Sequence, residues 1–437
     1  MTEKTQKKTR TKKHTGWTRL DNAAKIFPST SDKLDTKVFR FVCELTENVN
    51  PALLQSALNQ TLQIFHGYLS VMRHGFFWYY LESTDLRPKV HIENRQVCYP
   101  LYDRNEPSLL FDVSYFKKRI NVEVYHALAD GTGALTFLRE LTCCYLGLAH
   151  PELLKTNLHG AGIDASASEK MADSFQKYYR ATAKNLKKLP KAYRLRGAHL
   201  PEYNPKVIEG ILPVDKVRAL SKTYQTTITV LLISIFICSI FDGMSIRDRR
   251  RPVTLSVPVN LRNYFPSETV RNFFGVTYVS YRQSDGEVNL SDVIKSISTQ
   301  FKENLTKEKL QAIVNSFVSI EKNAVIRAIP LQIKDFGLKF AYTVNDKTIT
   351  AAFSNIGQVK MPDGYDKYIR LFDVMTSTKK LQICMCSFKN NLVVNFTDTL
   401  VSADVQKHFF RTLSSMDIPV TLVTTPLDEE AATHGTL

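Results

Sequence analysis

Tyr125-His126-Ala127-Leu128-Ala129-Asp130-Gly131-Thr132-Gly133 is the stretch on which the reading of this chain turns, because two periodicities meet in it. Before it, Ile120, Val122 and Val124 alternate with their neighbours as in a strand, and His126 falls on the same parity. After it, Ala134, Leu135, Leu138 and Leu141 recur at the spacing of an amphipathic helix. Junctions of this kind often hold reactive side chains, since a rigid strand fixes the residue while the turn leaves it accessible. An apolar face beside His126 would tune its pKa and exclude water, and Asp130 could cap the helix or meet a cation from elsewhere. Chance predicts roughly 0.02 copies of His-x-x-x-Asp-Gly in a chain of this composition. The residues alone leave two readings open, a catalytic imidazole or a core histidine beside a capping aspartate.

Outward from this stretch the pattern is mixed α/β. Residues 37–45 alternate as a strand, and Asn50-Pro51 then opens a helix through Leu53, Leu54, Leu58, Leu62 and Phe65. Further strands are expected at 76–81, 89–93 and 109–116. From 166 to 196 the chain reads as a basic helix containing Tyr178, Tyr179 and Tyr193, and Pro190, Pro201 and Pro205 then mark a boundary. A second α/β lobe follows: a helix around 217–220, an apolar helix at 228–241, strands at 253–259 and 272–281, a helix opened by Ser291-Asp292, an extended segment at 349–359, and a hairpin of 381–388 with 392–396. The expected division is a disordered basic tail at 1–16, an N-terminal lobe at 17–200 that includes the basic helix, and a C-terminal lobe at 201–437.

Composition excludes whole classes. The 437 residues are 43% hydrophobic and 23% charged with 17 Gly and 17 Pro, so the chain is neither disordered nor fibrous and can bury two cores. No run reaches the roughly 18 apolar residues of a membrane span, and no apolar run follows the basic start, so a cytoplasmic protein is expected. The seven cysteines lack metal-ligand or C-x-x-C spacing and read as reduced thiols, so no metal is expected. The net charge of +16 is concentrated: residues 1–14 carry six Lys/Arg against one acid, and 169–196 carry nine against two, which together supply +12. Nucleic acid is not expected as a partner. A solvated face is the plain reading of the basic segment, and basic groups near a substrate entrance would also attract coenzyme A phosphates, an acidic carrier protein or, through peripheral contact, an anionic membrane.

The His126-x-x-x-Asp130-Gly131 segment resembles the signature of the chloramphenicol acetyltransferase-like superfamily, which includes alcohol acetyltransferases, polyketide-associated acyltransferases and peptide-synthetase condensation domains. Leu20-Asp21-Asn22-Ala23-Ala24-Lys25-Ile26-Phe27-Pro28 resembles the opening of its alcohol acetyltransferase-like branch. Val257-Pro258-Val259-Asn260-Leu261-Arg262 resembles the strand bearing the family's arginine, and Asn272-Phe273-Phe274-Gly275 and Ser354-Asn355-Ile356-Gly357 follow in the family's order. The resemblance covers about residues 17–415. Tyr125 stands where condensation domains often carry a first histidine, which favours the ester-forming branches. Asp335-Phe336-Gly337-Leu338-Lys339 is an incomplete, misplaced version of a plant-type element and reads as chance.

The resemblance implies two similar lobes, each a mixed β-sheet flanked by helices, with an active-site tunnel between them. It implies an acyltransferase in which His126 deprotonates an alcohol that attacks a thioester, a general-base role worth about 10²–10⁴-fold. Asp130 would be architectural and paired with Arg262, Gly131 would allow close backbone approach, and Asn272 and Asn355 would line the channel or bond pantetheine amides. No bound cofactor is implied. Acyl-CoA or an acyl-carrier phosphopantetheine thioester would be the co-substrate, a small-molecule or lipid alcohol the acceptor, and the protein a monomer. The alternatives are a stand-alone condensation domain that forms an amide from a carrier-bound donor, and a non-catalytic ligand-binding protein on the same fold.

Overall fold

Val38–Leu45 and Arg119–Tyr125 are each hydrogen-bonded to a neighbour on both edges, and both are buried almost throughout. Their polar residues are therefore paired: Arg40 Nε donates to Glu123 at 2.8 Å, and its Nη1 meets Glu93. These strands are the centre of one of three sheets in the computed structural model, which describes residues 16–155, 172–181, 189–283 and 286–424. The five strands run in the order Ile369–Thr376, Val38–Leu45, Arg119–Tyr125, Phe111–Phe116 and His91–Ile92, with only the last pair parallel. The helices Pro51–Ile64 and Gly131–Ala149 pack on each other, and Gly131–Ala149 lies against these strands. The first begins where the sequence places it, with the Asn50 side chain accepting from the N–H groups of Ala52 and Leu53 and Pro51 at the first position.

The second sheet has seven strands in the order Phe274–Tyr281, Val253–Asn260, Ala351–Gln358, Gln382–Phe388, Asn391–Asp398, Lys206–Pro213 and Thr421–Thr424, parallel on both edges of Ala351–Gln358. Ile228–Asp242, apolar nearly all round, is the buried helix of this lobe and packs between Leu290–Asn304 and Asp404–Ser415. A third, small sheet joins Trp17–Arg19, Tyr79–Ser83 and Ser70–His74. The molecule is thus α/β, two lobes each built on a mixed sheet with flanking helices.

Several sequence expectations need correction. The division at 200/201 fails for Ile369–Thr376, which lies far along the chain yet pairs with Val38–Leu45 in the first sheet, so the second half of the sequence completes the first lobe. The basic helix expected at 166–196 is helical among the described residues only over Ser174–Tyr178. Residues 166–171 and 182–188 lie outside the described residues, as does the expected tail apart from Gly16. Phe76 and Phe77, read as strand, form the tip of the hairpin between Ser70–His74 and Tyr79–Ser83, closed by the Gly75 N–H donating to the Trp78 carbonyl at 2.9 Å. The helices Lys307–Lys322 and Leu331–Asp346 form where the sequence reading assigned no element.

Candidate active site

The strand Arg119–Tyr125 delivers His126 one residue past its end. The His126 N–H still donates to the Lys37 carbonyl at 2.8 Å, so its backbone is tied to the first sheet while the chain turns. Asp130 then caps Gly131–Ala149, its Oδ1 accepting from the Gly133 N–H at 2.9 Å. The imidazole lies among three aromatic rings: Phe27 stacks on it at 4.4 Å, Phe39 meets it edge-on at 5.0 Å, and Phe274 tilts against it at 5.4 Å. Burial among them lowers the His126 pKa below the ordinary 6.5, with the nearby Asp130 charge opposing that effect. The ring is therefore neutral at pH 7, the form a general base requires.

The protonation of that neutral ring is set by a buried chain of polar groups. His126 Nδ1 lies 3.1 Å from Asn272 Oδ1, and Asn272 Nδ2 donates to Asp21 Oδ2 at 3.1 Å. An amide whose nitrogen faces a carboxylate offers its oxygen to the imidazole, so Nδ1 carries the hydrogen and Nε2 keeps its lone pair. Asp21 and Asn272 are both buried. Asp21 Oδ1 accepts from the Ala24 N–H at 2.8 Å, and the Arg271 guanidinium approaches Oδ2 at 3.8 Å. Burial nonetheless raises the Asp21 pKa to about 6.

Asp130 and Arg262 hold the segment that carries Asn272. Arg262 Nη1 lies 2.7 Å from Asp130 Oδ2 and Nη2 lies 3.2 Å from Oδ1, a two-pronged pair across the lobes. The remaining guanidinium donors reach the carbonyls of Thr269 at 2.9 Å and Arg271 at 2.6 Å, while the Phe273 N–H donates to Asp130 Oδ2 at 2.8 Å. One ion pair thereby gathers residues 269–273 and presents Asn272 to His126. Asp130 itself makes no hydrogen bond to the imidazole.

Other expected residues have different places. Asn272 is not on a channel wall; its amide is enclosed between His126 and Asp21. Asn355 holds a local bulge, accepting from the Gly357 N–H at 2.7 Å and donating to Thr229 Oγ1 at 2.9 Å, and it does not join the His126 assembly. Gly131 is less constrained than Gly133: a Cβ at Gly131 would lie 3.1 Å from Ile356 Cδ1, whereas one at Gly133 would lie 1.9 Å from the Val270 carbonyl oxygen. The close backbone approach expected at Gly131 is made at Gly133. Asp21, Phe27, Phe39 and Gly133 had no assigned role in the sequence reading. Nothing in spacing links Asp21 to a partner 251 residues away.

No protein-family model matches the chain, and no curated protein matches it in sequence. Solved structures do match it in fold. The TRI3 trichothecene 15-O-acetyltransferase from Fusarium sporotrichioides superposes with a TM-score of 0.62 at 11% identity, over 94% of this chain and 96% of that one. TRI101 from F. sporotrichioides, complexed with coenzyme A and T-2, gives a TM-score of 0.59 at 9% identity over 93% and 99%. The first condensation domain of the calcium-dependent antibiotic synthetase gives 0.61 at 15% identity over 93% and 99%. The chain has the two-lobed fold shared by these acetyltransferases and condensation domains.

Proposed function

We propose that the protein is an acyltransferase that moves an acyl group from a thioester, acyl-CoA or a carrier-bound phosphopantetheine, to an alcohol, with His126 as general base. The observation that carries this reading is the half-buried imidazole whose Nδ1 is committed to Asn272 and Asp21, leaving Nε2 free to take a proton. Nε2 accepts the hydroxyl proton as the acceptor oxygen bonds to the thioester carbonyl carbon. The tetrahedral intermediate then expels the thiolate, which takes the proton back from the imidazolium, so ester and thiol leave and the base is restored. Asn272 supports the imidazolium through its carbonyl oxygen, and Asp21 holds that amide in the required orientation. The fold's occurrence in a protein solved with coenzyme A supports a CoA donor.

The test is thiol release from acyl-CoA thioesters of graded chain length with mixed alcohols and amines, product masses identified, for wild type and His126→Ala. Acceptor-dependent release that falls by at least about 10² in the variant is the expected result. Turnover in His126→Ala within a fewfold of wild type would refute the assignment. Activity only with an acylated carrier protein and an amine would favour the condensation alternative.

A further inference from the structure

The helix Leu331–Asp346 is amphipathic the wrong way round for a helix facing water. Its inward face carries polar groups that are all engaged. Asp335 accepts from the hydroxyls of Ser29 and Tyr79 at 2.6 Å each, Tyr342 Oη lies 3.1 Å from Lys37 Nζ, and Lys334 Nζ donates to the Phe77 carbonyl at 3.1 Å. Its outward face carries Ile333, Phe336, Phe340 and Val344, exposed by 61%, 76%, 66% and 49%. At 100° per residue these four fall within one sector of the helix, opposite Leu331, Asp335 and Tyr342. The surface continues onto the hairpin tip. The Leu331 N–H donates to the Phe76 carbonyl at 2.9 Å, which sets Phe76, 68% exposed, beside the start of the helix.

We propose that this face is a docking surface for an anionic phospholipid bilayer. A contiguous apolar face of this kind marks an interaction site, and the charges around it select the partner. Between Lys322 and Lys347 the exposed charged side chains are Lys322, Arg327, Lys339 and Lys347, all cations. The two acids of the segment are taken up, Asp335 as above and Asp346 by Lys380 at 3.3 Å. Aromatic and aliphatic side chains on one face, with cations as the exposed charges along the same stretch of chain, suit a helix lying in an anionic lipid interface. Residues 1–15 contain no Phe, Tyr, Trp, Leu, Ile or Val that would match such a face. The surface borders a cleft of about 420 Å³ lined by Phe336, Lys339, Tyr125 and Ser31. Docking is a property of this surface alone and does not depend on the acyltransferase reading.

Co-sedimentation of the full chain with vesicles tests it, using pure phosphatidylcholine and phosphatidylcholine containing phosphatidylserine, at low and high salt. The expected result is binding to the anionic vesicles, weakened by salt, and at least tenfold weaker for Phe336→Ser/Phe340→Ser with an unchanged melting curve. Phe76→Ser, on a different element, should weaken binding in the same direction, which separates loss of the surface from loss of the helix. Absence of wild-type binding to either vesicle, or equal binding by the variants, would overturn the proposal. So would a wild-type dimer in solution that Phe336→Ser/Phe340→Ser converts to monomer without any vesicle binding, because the face would then be an interface between copies.

Discussion

Asp21 reaches the reaction only through Asn272, and this makes it a positioning residue whose effect is separable from folding. Above about pH 6 Asp21 is ionised and fixes the Asn272 amide with its nitrogen toward the carboxylate. When it takes a proton, the amide loses the reason to keep its oxygen toward His126, while His126 itself protonates below the ordinary 6.5. Two groups therefore titrate in the same acid region, and kcat/KM for wild type should fall below pH 6.5 with a slope steeper than one proton. In Asp21→Asn the slope should return to one proton and kcat should drop by about 10-fold or more, with KM little changed, as for a group that helps only once the imidazole is charged. A pH–rate profile of the variant parallel to that of wild type would show that Asp21 only caps the segment at Ala24. Asn272→Asp is the complementary substitution: a carboxylate against His126 would raise the imidazole pKa and move the acid limb upward.

The junction between the strand Arg119–Tyr125 and the helix Gly131–Ala149 works because residues 269–273 from the other lobe lie directly on the helix's first turn. Gly133→Ala would drive a methyl group to within 1.9 Å of the Val270 carbonyl oxygen, which cannot move without breaking the contacts of Asn272 and Phe273. Overpacking of this kind costs about 1–3 kcal/mol or more, so the variant should melt lower and lose activity. Gly131→Ala meets the end of the Ile356 side chain at 3.1 Å and Phe41 Cζ at an ordinary 3.9 Å, and should keep most of both. Thermal melts and turnover of the two variants side by side check the contrast, and equal tolerance would mean that the segment has room to shift. The junction was legible in the sequence because strand period, capping aspartate and helix period are all local signals. Asp130 with Arg262 was reached through resemblance, whereas Asp21 with Asn272 was not reached, because no local pattern encodes a contact between distant segments. The helix Leu331–Asp346 was missed although Ile333, Phe336, Phe340 and Val344 recur at helical spacing; Gly337 in its middle, a residue unfavourable inside a helix, weakens that local signal.

At the scale of the molecule, the two lobes are joined by polar groups on strands from both sheets. Ile369–Thr376 belongs to the first sheet, and its Asp373 Oδ1 accepts from Asn395 Nδ2 of the second at 2.8 Å. Nearby, Arg119 of the first sheet grips Glu209 of the second at 3.0 and 3.2 Å and also holds Glu44 at 2.8 Å. With Arg119 committed to those carboxylates, Asp373 is left fully buried, its Oδ2 without a hydrogen bond among the described residues. Burial, reinforced by the Glu209 charge, raises its pKa from 3.8 to about 7. The folded protein thus keeps a proton that the unfolded chain gives up, and the stability associated with that proton is full below pH 3.8 and lost as pH rises through about 7. Asp373→Asn preserves the Oδ1 acceptor for Val374 and Asn395 and removes the charge. It should therefore melt at a higher temperature than wild type at pH 8, with the gap closing toward pH 5. Asp373→Ala removes the same charge but leaves the Asn395 and Val374 donors unpaired in the seam at about 1–3 kcal/mol, so it should melt below Asp373→Asn at both pH values. Melting curves at the two pH values distinguish these cases, and a pH-independent gap for Asp373→Asn would mean that the seam holds an ionised Asp373 throughout, with Arg119 shared among three carboxylates instead of two.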